Sequence, residues 1–102
     1  MKNQDELFKV LREVEKNPKI SQRELAANVN FSLGKINYCL NALKNKGLVK
    51  MKNFRNNKKK IGYIYILTTK GLTKKTTMAI NFLKRKMQEY DEIKKEIKNG
   101  QT

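Results

Sequence analysis

The stretch ISQRELAANVNFSLGKINYCLNALKNKGL, residues 20–48, decides how this chain folds. Ser21-Gln22-Arg23-Glu24 has the spacing of a capping box. The Ser hydroxyl accepts from the backbone N–H three residues on, and the Glu carboxylate there accepts from the N–H of the Ser. Ile20 and Leu25 flank the box as a hydrophobic staple, so a short helix is predicted over about 22–28. Asn28-Val29-Asn30-Phe31 makes a tight connection. Ser32 then caps a further helix over about 33–46, with Phe31 and Ile36 in staple positions. Gly47 closes that helix, because glycine takes the left-handed conformation that helix ends favour.

Upstream of this pair, Leu7, Val10, Leu11 and Val14 recur at helical spacing and predict a first helix over about 4–16. Asn3 with Glu6 is positioned to cap it, and Asn17-Pro18 to end it. Downstream, Leu48–Phe54 and Ile61–Leu67 are rich in β-branched and aromatic residues and read as two strands. The six residues from Arg55 to Lys60 join them, with Asn56-Asn57 suited to a hairpin tip. Thr68 caps a long helix reaching about Lys98, where Asn99-Gly100 stop it. Helix, helix, turn, helix, strand, basic loop, strand, helix is the order of a winged helix-turn-helix. The expected fold is therefore mainly α with a small β-hairpin, residues 1–71 forming a DNA-binding domain and 72–102 a C-terminal dimerisation helix.

Composition narrows the function. The 102 residues carry a net charge of +15, and the nine acids all lie at or before Glu24 or at or after Glu89. Residues 25–88 hold fifteen Lys and Arg and no acid. A solvated surface mixes signs, so an acid-free run of this length points to a polyanion partner. With one Cys and no His, neither an internal disulfide nor the usual zinc site can be assembled. Cys39, in an apolar helical pattern, reads as a small buried hydrophobe. The residues offer no general base of the imidazole type and no phosphate-binding glycine loop, so an enzyme is not expected, nor a cofactor. No apolar run reaches membrane-spanning length and the first ten residues lack a signal-peptide core, so a cytoplasmic location without membrane association is expected.

On the helix at 33–46, an angular step of about 100° per residue gathers Ile36, Leu40 and Leu43 on one face, with Cys39 and Leu33 at its edges. Gly34, Tyr38, Asn41 and Asn45 lie almost opposite, flanked by Lys35, Asn37 and Lys44. Amides, a phenol and ammonium groups are the chemistry that reads base edges and phosphates of double-stranded DNA. Ser32, Gly34, Lys35, Asn37, Tyr38, Asn41 and Lys44 are the candidate reading residues. Lys35 stands where a helix dipole favours an anion, and Gly34 weakens the helix it sits in. Such local conflicts often mark a functional surface, although close packing of the preceding helix would equally explain the glycine. Arg55, Asn56, Lys58, Lys59 and Lys60 are the candidate contacts of the wing, placed to follow a minor groove or phosphate ridge. Lysines there also guard a sheet edge against pairing.

Along the last helix, Leu72, Thr76, Ala79, Leu83, Met87, Tyr90, Ile93 and Ile97 form a stripe in steps of three and four, suited to a lightly supercoiled helix pair. A helix of about 30 residues spans roughly 45 Å, more than the preceding module can cover. The expectation is that its first half, widened by Met78, Ile80 and Phe82, packs on the chain's own domain. Leu83, Met87, Tyr90, Ile93 and Ile97 would then pair with a second copy and present two reading helices about one DNA turn apart.

Several tracts also carry a family resemblance. Ile20 through Ala26, Ser32 through Leu40, Leu43 through Lys50 and Leu67 through Gly71 resemble the MarR superfamily of bacterial regulators. Asn53-Phe54-Arg55-Asn56 and Phe82 through Met87 are similar to its short EPS-associated group. The resemblance implies a transcriptional regulator whose gene neighbours exopolysaccharide or surface-polysaccharide clusters. Two departures from the wider family are expected: a wing without its Asp-x-Arg pair, and a first helix without the extra dimerising segment that precedes it in typical members. Reduction of the dimer part to one helix argues against a small-molecule effector. An RNA-binding winged helix would use the same charge but calls for stacking aromatics, of which the reading face offers only Tyr38. A winged helix serving as a protein-interaction module calls for an acidic or apolar outer face, which this helix lacks.

Overall fold

In the computed structural model, which describes residues 2–55 and 61–100, the chain runs α1 (Lys2–Lys16), α2 (Gln22–Val29), α3 (Leu33–Asn45), β1 (Val49–Arg55), β2 (Ile61–Leu67), α4 (Thr69–Gly100). This is the mainly helical winged helix-turn-helix expected from the sequence.

The helix ends follow local chemistry. At α2 both halves of the capping box form: the Glu24 N–H donates to the Ser21 Oγ at 3.0 Å and the Ser21 N–H to the Glu24 carboxylate at 3.2 Å. Asn30, at φ 60°, turns the chain out of α2; its N–H and that of Phe31 donate to the Ala27 and Ala26 carbonyls. Asn tolerates this left-handed conformation better than other side-chain-bearing residues. Gly47, at φ 73°, does the same for α3. The Gly47 N–H donates to the Lys44 carbonyl and the Leu48 N–H to the Leu43 carbonyl, while the Leu43 and Leu48 side chains are both buried. That pairing is the Schellman arrangement with its apolar contact.

Four expected boundaries shift. Helix α1 begins at Lys2, so Asn3 lies inside it rather than capping it; Glu6 instead pairs its carboxylate with Lys35. Strand β1 begins at Val49, because the Leu48 N–H is engaged in closing α3, and it extends through Arg55. Helix α4 continues through Asn99 to Gly100.

The core is built from all elements. Val10, Leu11 and Val14 of α1 meet Leu25 of α2, Ile36, Cys39, Leu40 and Leu43 of α3, and Val49 and Tyr65 of the hairpin. Strands β1 and β2 pair antiparallel from Val49↔Leu67 to Arg55↔Ile61. The Tyr65 N–H donates to the Pro18 carbonyl at 2.9 Å, tying β2 to the α1–α2 connection.

Thr68 joins α4 to the end of α3. Its hydroxyl accepts from the Gly71 N–H at 2.9 Å and donates to the Gly47 carbonyl at 2.7 Å, and its own N–H donates to the Leu48 carbonyl. At Gly71 a Cβ would lie 2.0 Å from the Leu48 carbonyl oxygen, so only glycine lets the first turn of α4 approach this corner. Beyond it, α4 packs on α1 through buried Met78 and half-buried Ala79 and Phe82, the Phe82 ring 5.4 Å from that of Phe8. Lys75 pairs with Glu15 and Arg85 with Asp5.

The face of α4 that packs is not the predicted stripe. Gly71, Lys75, Met78, Phe82 and Arg85 face the domain, whereas Leu72, Ile80, Leu83, Met87, Tyr90, Ile93 and Ile97 are all exposed. The first half of the helix does pack on its own domain, but through a row turned away from the stripe, which stays open along its whole length apart from half-buried Ala79. Among the described residues every one from Lys86 onward is exposed, and the molecule extends to 66 Å along its long axis.

Candidate nucleic-acid interface

Helix α3 has one apolar side and inserts it fully: Ile36, Cys39, Leu40 and Leu43 are buried. That burial fixes the rotation of the helix, and the opposite side follows from it. Ser32, Gly34, Lys35, Asn37, Tyr38, Asn41 and Lys44 are all exposed, Tyr38 to 58%. The structure thus brings the seven sequence-predicted residues of this group to one helix and leaves each accessible. Tyr38 and Asn41 stand one turn apart, as neighbours on the outward face.

At the start of α3 the Ser32 Oγ accepts from the Lys35 N–H at 3.1 Å. The Lys35 ammonium bends back to the Glu6 carboxylate and over the Phe31 ring, 4.9 Å from its centroid. The sequence treats this Lys as an unmatched cation, and the fold supplies a carboxylate 29 positions away. Gly34 is open on its outer side; an added Cβ would meet only the Ser32 Oγ, at 4.0 Å. Packing against the chain's own helices therefore does not account for this glycine.

Of the wing residues, Arg55 closes β1; Asn56, Lys58, Lys59 and Lys60 lie outside the described residues. Sequence reasoning missed two cations on the preceding strand. Lys50 and Lys52 alternate with Val49 and Met51, so the apolar pair points inward and the lysines outward. With Lys44 they line a groove of about 420 Å³ at the α3–β1 corner, floored by Gly47 and Thr68. Lys70, at the start of α4, lines the adjoining groove with Lys50. Strand alternation within the acid-free run was the available signal. Leu33, 48% exposed, adds an apolar group beside Asn37 that fits a thymine methyl.

Charge is distributed differently in space than along the chain. Three acids of α1, namely Asp5, Glu6 and Glu15, neutralise Arg85, Lys35 and Lys75 of the acid-free run. Among the described residues, Lys44, Lys46, Lys50 and Lys52 make no ion pair and lie together about the α3 C-terminus and β1.

Two titratable groups lie behind this surface. Burial raises the Cys39 thiol above its ordinary value, Glu6 adding to the rise and Lys35 opposing it. A fully buried, protonated thiol has little nucleophilic character. Burial likewise raises the Tyr65 phenol, with interaction with the Gln22 side chain opposing the rise and Tyr63 adding to it. Both are core groups. No cluster of His, Cys, Asp and Glu suited to a metal ion occurs among the described residues, and none of the described helices is long and apolar enough to cross a membrane.

With this geometry in place, comparison with known proteins is informative. Residues 7–50 match a family model described as winged helix-turn-helix DNA-binding. No curated protein matches the chain. Among solved structures, a MarR protein from Peptoclostridium difficile DA00132 is similar with a TM-score of 0.70 and 21% identity, over 83% of this chain and 54% of that one. Wild-type MarR from E. coli in its apo form is similar with a TM-score of 0.60 and 29% identity, over 71% and 52%. A mutant of the same E. coli protein, complexed with operator DNA, gives 0.56 and 30%, over 71% and 50%. The chain spans about half the length of these three structures.

Proposed function

We propose that this chain is a MarR-type transcriptional regulator that binds double-stranded DNA sequence-specifically as a homodimer, residues 1–71 reading DNA and 72–102 pairing the subunits. The carrying observation is the outward side of α3. It holds Asn37, Tyr38, Asn41 and Lys44, no carboxylate, and a glycine that the chain's own packing does not require. Asn amides bond adenine edges in a bidentate manner, and Lys bonds guanine or phosphate. Gly34 lets a sugar–phosphate strand approach the start of α3 closely, where Lys35 meets a phosphate by exchanging it for Glu6. Lys50 and Lys52, with Arg55, Asn56, Lys58, Lys59 and Lys60 of the wing, supply the salt-sensitive part of the affinity. The operator complex of the E. coli relative supports duplex DNA over RNA as the ligand.

The exposed stripe on α4 supports pairing with a second copy. The tracts similar to the EPS-associated group extend the proposal to control of exopolysaccharide or surface-polysaccharide genes. No small-molecule effector is part of it.

Selection of bound sequences from random duplex DNA tests this reading. The expected result is a palindrome with half-sites one helical turn apart. Recovery of no preferred sequence, with equal affinity for structured RNA at matched salt, would reject it.

A further inference from the structure

The stripe on α4 from Leu83 to Ile97, and Ile80 beside it, is exposed, and charged residues flank it. Beside the stripe the sequence runs Lys84-Arg85-Lys86, then Glu89, Asp91 and Glu92 one turn further on; Arg85 is held by Asp5 and Lys86 by Glu89, which leaves Lys84 and Asp91 as the charges flanking the seam. Helix pairs choose direction by which charges flank the seam and which residues meet within it.

Resting on the homodimer reading above, we infer that two α4 helices pair antiparallel about a two-fold axis beside Gln88. In that register the stripe matches itself layer by layer. Ile80 packs against the partner's Ile97, Leu83 against the partner's Ile93 and the stem of its Lys94, and Met87 against the partner's Tyr90. Lys84 of each helix, which flanks the stripe, faces the partner's Asp91, so the pair forms twice, once on each side of the axis. Pairing in parallel brings Lys94 opposite Lys94 within the seam, two ammonium groups on an apolar stripe. In the antiparallel register the Lys94 stem packs on the partner's Leu83 rather than on another Lys94, and its ammonium, already 5.9 Å from the Tyr90 ring centroid, leaves the seam at its edge.

The register has a geometric consequence. The part of α4 packed on its own domain is centred near Met78. At a rise of about 1.5 Å per residue, the two packed segments stand about 32 Å apart across the axis. That approaches the roughly 34–36 Å of one DNA turn. A parallel pair would bring the two domains side by side.

Distances between spin labels test the pairing in the full-length chain. Lys98→Cys, in a Cys39→Ala background, places one label near the end of each α4. The antiparallel register predicts an interspin distance of about 30 Å, from the rise per residue. A distance of 10–15 Å would overturn the antiparallel assignment and leave the homodimer standing. Absence of any interspin distance, with a monomer in sedimentation, would overturn the homodimer itself. Charge exchange gives an independent readout. Lys84→Asp and Asp91→Lys should each weaken the dimer about tenfold, since each puts like charges together twice, and the double variant should restore it. Failure of the double variant to recover would count against this register.

Discussion

Helices α3 and α4 bury one side each in the same core but leave opposite chemistry outside. On α3 the exposed side carries amides, a phenol and ammonium groups; on α4 it carries a row of aliphatic and aromatic side chains. A polar helix face with no acid suits a partner with acceptors and negative charge, whereas a long exposed apolar row is the mark of a surface that meets another apolar surface. Two faces of one small chain thus call for two kinds of partner. Because Thr68 and Gly71 lock the start of α4 to the end of α3, the position of one face dictates that of the other.

The largest effect should come from breaking that lock. Gly71→Ala drives a methyl group into the Leu48 carbonyl and should cost about 3 kcal/mol or more of folding stability, as severe overpacking does. Denaturant unfolding would read it, and an unchanged midpoint would mean that α4 does not approach this corner as described. Next, placing charge on the apolar face, as in the double variant Met87→Glu, Ile93→Glu, should raise the dimer dissociation constant at least about 100-fold, given roughly 1.5–3 kcal/mol for each buried aliphatic side chain. Helix content and the folding of residues 1–85 should survive, because both positions are exposed in the single chain. On the other face, Asn41→Ala and Tyr38→Ala should each reduce affinity for the selected operator by about tenfold or more, at roughly 1–3 kcal/mol per base contact. Binding to random duplexes should hardly change. Lys50→Ala with Lys52→Ala should act in the opposite sense, weakening all sequences alike and lowering the slope of log affinity against log salt by about 2. An unchanged slope would remove these two residues from the interface.

The smallest expected effect lies behind α3. Burial holds the Cys39 and Tyr65 protons in the folded chain above their ordinary values of 9.0 and 10.0. Such groups contribute stability that is present in full below the unfolded value and lost as pH rises toward and through the folded one. Unfolding free energy should therefore be insensitive to these two groups at neutral pH and decline above about pH 9. Cys39→Ala should remove the thiol's share of that decline, a difference that pH-dependent denaturant titrations would resolve.

Much of this was legible in residues 20–48. The Ser21–Glu24 box, the Ser32 cap and Gly47 are local instructions, each satisfied within a few residues, and the 3.6-residue periodicity of Ile36, Leu40 and Leu43 determined which side of α3 turns outward. The acid-free run and the apolar stripe were equally plain, since composition and spacing need no tertiary contact to be read. Tertiary structure alone decided the rest. The sequence put Lys35 next to no acid, and Glu6 reaches it only because α1 crosses α3. Likewise the periodicity of α4 supports two adjoining apolar rows. Contact with Phe8 of α1 draws Phe82 inward, on the same side as the buried Met78, and so leaves Leu72, Ile80 and Leu83 outside. Local rules concern neighbours along the chain, and such choices depend on groups that meet only after the core has closed.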